Sequence, residues 1–219
     1  MMTEAEWLVR DDPLPMLTYL RGQVSERKLR LYACACCRGM WDWLTDERSR
    51  VAVEKAERFT DGRATAEELA ACYRPARKFS IEWARQHPED PRQFNLIAPA
   101  DAAATCPFDA ARTGALDAGW GSGGGERLPG STSYAALADL VRDIFGNPFR
   151  PVSPGPWITP AAVSVAQDIY DRRDFAALPV LADLLEEAGC PDQSVLDHCR
   201  LPGEHARGCW AVDLILGKS

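Results

Sequence analysis

Five residues near the C-terminus have side chains that could hold a metal ion: Cys190, His198, Cys199, His205 and Cys209. Thiolate sulfur and imidazole nitrogen are the usual ligands of zinc, which takes four of them at the corners of a tetrahedron. A helix starting near Ala206 would set His205 and Cys209 one turn apart on one face, and a short preceding helix would supply His198. The spacing contains no Cys-x-x-Cys pair, and Cys34 and Cys37, three residues apart, would have to come from far away in the sequence. The competing explanation is that these cysteines are small buried apolar groups in a helical core while the histidines bond locally.

A second chemistry uses the same residues differently. A cysteine nucleophile needs a depressed thiol pKa, a base such as His198 or His205, and a third group such as Asp213 or Asp197 to orient that base. His198 and Cys199 are not themselves such a pair, because adjacent helical residues point in different directions. A thiol redox role would require solvent access to Cys34, Cys37 or Cys209.

The remaining candidates concern recognition. Among seven tryptophans, Trp41, Trp43, Trp120 and Trp157 lie beside glycine- or proline-rich stretches, where an aromatic ring can anchor a partner. Trp7, Trp83 and Trp210 read as core. Phe149-Arg150-Pro151 is stiff enough to present Arg150 to a carboxylate, although a proline-stiffened connection between helices is the commoner meaning. Trp120, Phe149, Arg150 and Trp157 are therefore the expected contacts to another protein. The glycine run after Trp120 matches neither the dinucleotide fingerprint nor the P-loop, and no β-branched strand precedes it, so phosphate binding is not expected.

These residues must be positioned by helices. Thr3 with Glu6, and Thr65 with Glu68, fit the reciprocal bonding of a capping box. Asp12-Pro13, Ser25, Thr45, Ser131 or Ser133, Thr159-Pro160 and Asp174 offer further starts. The strongest periodicity, Leu29, Tyr32, Ala33, Cys36, Met40 and Trp43, predicts a central helix running from Glu26 towards Leu44. Pro75 predicts a kink or break. Two short helices complete the chain, around Val195 to Arg200 and Gly208 to Leu216. Short extended pairs at Pro151-Val152-Ser153 and Trp157-Ile158 are the nearest approach to a strand.

The expected fold class is mainly α, an irregular multi-helix bundle. Residues 1–118 and 131–219 form its helical regions, packed as one domain or two, with a flexible glycine-rich loop or linker at 119–130 between them. With 46% hydrophobic and 26% charged residues in 219, the chain can bury a core without disulfide staples. Its formal charge of −7 argues against a general nucleic-acid surface, which needs clustered Lys and Arg. No signal peptide and no apolar run of membrane-spanning length is visible, so a cytoplasmic location with reduced thiols is expected.

One resemblance adds to this reading. Leu140-Val141-Arg142-Asp143-Ile144-Phe145-Gly146-Asn147-Pro148-Phe149-Arg150-Pro151-Val152 resembles a hallmark of a paralogous family found in planctomycete-type bacteria. The stretches Arg27 to Arg38, His198-Cys199-Arg200 and Gly208 to Leu214 are similar to the same family. The glycine-rich 121–130 segment departs from its alanine-rich helices. Leu181 to Gly189 is also similar to the bacterial repeat-companion domain. The family has no established activity, so the resemblance supplies no catalytic residues to carry over. The sequence thus favours a helical protein–protein interaction or accessory module of a larger bacterial complex, without catalysis. Its alternative is a zinc-binding domain or metal-dependent hydrolase built on the Cys/His cluster.

Overall fold

In a computed structural model of the chain, residues 2–88, 107–118 and 132–219 are described. They form helices joined by turns, with no strand among them, so the mainly α class holds and the segments at 151–158 are irregular. Trp120 and the 119–130 segment lie outside the described residues. Among the described residues no helix is long and apolar enough to cross a membrane. The chain divides into two compact units, Met1–Val141 and Arg142–Ser219.

In the first unit, α1 (Glu4–Val9) starts with the expected capping box: Glu6 N donates to Thr3 Oγ1 at 3.3 Å and Thr3 N to Glu6 Oε2 at 2.8 Å. Helix α2 (Pro13–Leu20) is capped by Asp12, which accepts from Leu14 N at 3.0 Å. Helix α3 (Glu26–Gly39) buries Leu29, Leu31, Tyr32, Ala33, Cys34, Cys36 and Cys37, an arc too wide for a surface helix. It packs against α4 (Glu47–Thr60) and α6 (Pro107–Ala118), and α5 (Ala66–Gln86) packs on α4.

Several local expectations are corrected. Helix α3 stops at Gly39 rather than near Leu44, and Trp41–Trp43 form a separate 3-10 turn. A Cβ at Gly39 would lie 3.1 Å from Thr132 Oγ1, closer than most such contacts, so a side chain there would require Thr132 to shift by a few tenths of an ångström. Asp46, not Thr45, caps α4: its carboxylate accepts from Arg48 N at 2.9 Å while gripping the Arg48 guanidinium. A charged acceptor makes the stronger cap bond.

Pro75 does not break α5, which is continuous around it. Proline there removes one donor from the ladder, leaving the Ala71 carbonyl without its usual partner, and its own side chain is exposed. Pro75→Ala is therefore expected to stabilise the chain by about 1–2 kcal/mol, the recovered helical bond being partly offset by a freer unfolded state. Urea midpoints of the two proteins check this.

Helix α7 (Tyr134–Phe145) starts at Ser133, whose Oγ accepts from Ala136 N at 3.1 Å. Its last residues belong to the second unit. Gly146 closes the helix at φ +67°, a left-handed conformation suited to glycine. The second unit continues with α8 (Pro160–Arg172), a 3-10 turn at Phe175–Ala177, α9 (Leu178–Glu187), α10 (Gln193–Arg200) and α11 (Trp210–Leu216). Asp174 makes no side-chain cap, because the 3-10 turn intervenes before α9. The core of this unit gathers Trp157, Ile169, Tyr170, Leu181, Leu185, Val195 and Val212.

Candidate metal centre

Four chemically apt side chains of the second unit converge on one point: Asp143, His198, His205 and Cys209, whose donor atoms all lie within 4.8 Å of one another. Each comes from a different local structure. Asp143 sits in the last turn of α7 and is 4% exposed despite its charge. His198 lies in the last turn of α10, which Asp192 starts by accepting from Ser194 N at 2.9 Å. His205 lies in the loop between α10 and α11, and Cys209 is the residue before α11, fully buried.

The loop is held by its own bonds. Ala206 N donates to Asp143 Oδ2 at 2.9 Å and Cys209 N to Ala206 O at 2.9 Å. Arg207 lays its guanidinium over the Tyr170 ring, 4.8 Å from the centroid, and donates to the Tyr170 carbonyl at 3.3 Å. The expected helix from Ala206 is thus a turn, and α11 begins only at Trp210. His205 and Cys209 still meet, brought together by that turn rather than by helical spacing.

Within the group, His205 Nδ1 lies 2.6 Å from Asp143 Oδ1, and His198 Nε2 lies 3.3 Å from the same oxygen and 3.1 Å from Cys209 Sγ. Zinc bond lengths to nitrogen, oxygen and sulfur imply donor–donor edges of roughly 3.3–3.6 Å in a tetrahedron. The His198–Asp143 contact is close to such an edge, whereas the His198–Cys209 contact is shorter than a nitrogen–sulfur edge by about 0.5 Å. The His205–Asp143 contact is a hydrogen-bond distance and would have to open by about 0.7 Å around an ion of that size.

Electrostatics follow from burial and mutual contact. Burial works against ionising Asp143, but hydrogen bonds from His198 and His205, and charge on those rings, outweigh it and hold the carboxyl below its ordinary range. Burial, reinforced by the Asp143 charge, pushes the Cys209 thiol well above its usual value. A buried, protonated thiol is a poor nucleophile. The geometry also lacks a nucleophile's relay, since one nitrogen, His198 Nε2, faces both the thiol and the carboxylate, whereas an oriented base uses its two nitrogens for the two partners. A divalent cation would reverse the thiol's preference, because a coordinating thiol is deprotonated outright.

The other expected residues stand elsewhere. Cys190 and Cys199 are buried in the same unit but outside the converging group. Cys190 Sγ contacts the Asp192 carbonyl at 3.8 Å. The Cys199 thiol is pushed up to about 12, chiefly by burial and then by the Asp143 and Cys190 charges. Neither Asp213 nor Asp197 orients a histidine here: Asp213 is buried in α11, and Asp197 accepts from Gln193 Nε2 at 2.7 Å. Cys34 and Cys37 are buried in α3, which leaves their thiols without the solvent access a redox role needs.

The expected recognition residues divide. Trp157 is only 5% exposed and belongs to the core of the second unit, so it is corrected from a partner anchor to a packing residue. Its ring folds against Gly155, where an added Cβ would sit 2.4 Å from the indole nitrogen. Phe149 is half-buried, its amide donating to Asn147 Oδ1 at 3.0 Å, and Arg150 is exposed. Trp210 packs against the core of the second unit as expected, but as a half-buried residue with its ring also against His198.

Asp143 is the member that the sequence reading missed. It lies sixty-two residues before His205, and carboxylates are too common to stand out by type. The available signal was its place one turn from Leu140 on an otherwise apolar stripe, where a charge needs a partner. No protein-family model, no curated protein and no solved structure matches this chain.

Proposed function

We propose that the chain is a helical, non-catalytic accessory module whose Arg142–Ser219 unit is stabilised by one zinc ion held by Asp143, His198, His205 and Cys209. The observation that carries this reading is the convergence of one carboxylate, two imidazoles and one thiol, donors of zinc's own chemistry, in a largely buried pocket. His198 would bind through Nε2 and His205 through Nδ1, the nitrogens that face the group. Four protein ligands would close the tetrahedron, which is the pattern of a structural rather than a catalytic site.

The ion would replace an awkward set of hydrogen bonds. Without it, one carboxylate oxygen serves two imidazoles and a buried thiol shares a nitrogen with that carboxylate. With it, each donor directs a lone pair at a single charge. The free energy of binding then becomes folding free energy, tying α7, α10 and the loop before α11 together.

The wider role, recognition of another protein by a helical module in the cytoplasm, belongs to the same proposal. Membership of the planctomycete-type family does too, and Asp143, His198 and Cys209 fall within the segments that carry that resemblance. Cobalt substitution tests the metal reading. Co2+ added to chelator-treated protein is expected to give intense visible bands of tetrahedral geometry and a near-ultraviolet thiolate-to-cobalt transition. Weak octahedral bands without the thiolate transition would contradict the site.

A further inference from the structure

Among the described residues no protein group bonds the nitrogen of His198 that faces away from the site, the usual point of support for a metal-binding histidine. Such a ring ordinarily donates its second N–H to a carboxylate, a carbonyl or water, which fixes its tautomer and plane. Here Nε2 is the nitrogen that meets Cys209 and Asp143, and Nδ1 has no hydrogen-bond partner among the described residues.

Ring packing takes the place of that bond. The His198 ring lies 5.0 Å from Trp210 at 51° and 5.0 Å from His205 at 81°, so it stands between an indole and the other imidazole. Trp210 is fixed in turn from behind. A Cβ at Gly146 would lie 3.2 Å from the indole Cγ and 3.3 Å from Cδ2, so the chain there touches the ring closely. Gly146 is three residues beyond Asp143, and Trp210 directly follows Cys209. The indole thus packs on the ring of one donor, His198, and directly follows a second, Cys209, in the chain. It is half-buried, whereas Ala211, Val212 and Ile215 of the same helix are buried. Its ring lies at the margin of the core, against His198.

We infer that Trp210, backed by Gly146, is a positioning residue of the metal centre, holding His198 Nε2 on the ion by ring packing where a second-nitrogen hydrogen bond would otherwise serve. The inference rests on the zinc reading above. Loss of an outer support typically costs 10–100-fold in metal affinity, so Trp210→Leu is expected to weaken Zn2+ binding by about that factor. Trp210→Phe, which keeps a ring, should stay within a few-fold of the parent.

The experiment is competition for Zn2+ between each full-length protein and a chromophoric chelator, with the Co2+ spectrum of each variant as a second readout. Val212→Ala is the control: it truncates the side chain of a buried residue of the same helix and leaves in place its backbone N–H, which bonds the Cys209 thiol. The inference expects weakened binding and altered visible bands in Trp210→Leu, with near-parental values in Trp210→Phe and Val212→Ala. Equal affinity in Trp210→Leu and the parent would overturn it, as would equal losses in Trp210→Leu and Val212→Ala, which would make the role one of packing alone. If Trp210→Leu does not fold, Trp210→Met carries the test, since it also removes the ring while keeping a long apolar side chain. Weakened binding is expected in its folded form, and unchanged affinity overturns the inference. A parent protein that binds neither ion removes the zinc reading itself, an outcome distinct from all of these.

Discussion

Asp143→Ala is expected to destabilise the Arg142–Ser219 unit by about 3–5 kcal/mol, because it leaves several buried donors unsatisfied at about 1–3 kcal/mol each. The carboxylate is 4% exposed. One of its oxygens serves His198 and His205, and the other accepts the Ala206 amide. Alanine leaves two imidazoles and a backbone N–H facing a void, and unmade bonds at buried donors cost more than the bonds contribute when made. Part of this loss belongs to the hydrogen bonds and part to the ion. Urea unfolding of both proteins, with zinc and with chelator, separates them: if the ion contributes, the difference between parent and variant shrinks in chelator. A difference identical in both conditions assigns the whole effect to hydrogen bonding.

Cys209→Ser is the second large effect, and it falls on affinity more than on the metal-free fold. Serine nearly matches cysteine in shape, and its hydroxyl can still bond His198 Nε2, so the chelator-treated variant should lose only about 1 kcal/mol. As a ligand, however, a hydroxyl replaces a thiolate. Structural zinc sites gain about 10–16 kcal/mol from four ligands. An even share of that, about 2.5–4 kcal/mol, corresponds to a loss of roughly 100-fold or more in zinc affinity. Cys199→Ala is the matched comparison. Cys199 is as buried, at 2% exposure, yet outside the group, so this variant should lose about 1 kcal/mol of stability and keep its zinc. Isothermal titration of both variants checks the pair, and equal affinities for the two would remove Cys209 from the ligand set.

The parts of the fold that were legible in the sequence are those decided within a few residues. The capping boxes at Thr3 and Thr65, the Asp12-Pro13 start and the Gly146 stop depend on local bonds between near neighbours, and each occurs as expected. The misreadings arose where distant contacts decide. Helix α3 ends at Gly39, where an added Cβ would lie 3.1 Å from Thr132 Oγ1, a neighbour ninety-three positions later. Pro75 leaves α5 intact because its exposed position and the packing of Leu69, Ala76 and Ser80 on the other face outweigh one lost bond.

The candidate site was half legible for the same reason. His198, His205 and Cys209 are of recognisable ligand type, and they converge. Cys190 and Cys199 are of the same type and do not, because type says nothing about direction. On α10 the adjacent His198 and Cys199 point about 100° apart, so only one can face the group. Asp143 was hidden by distance along the chain. Trp210 was hidden because a tryptophan among apolar residues reads as core, and only the Gly146 and His198 contacts reveal its other face.

The most direct test of the zinc reading is the metal content of the full-length chain, purified without a histidine tag and then melted with and without a strong chelator. One zinc per chain, with a chelator-induced fall in melting temperature that added zinc reverses, is the expected result. Metal-free protein that melts identically in either condition and takes up no zinc when offered it would contradict the centre at Asp143, His198, His205 and Cys209. Those four residues would then be a buried hydrogen-bond cluster.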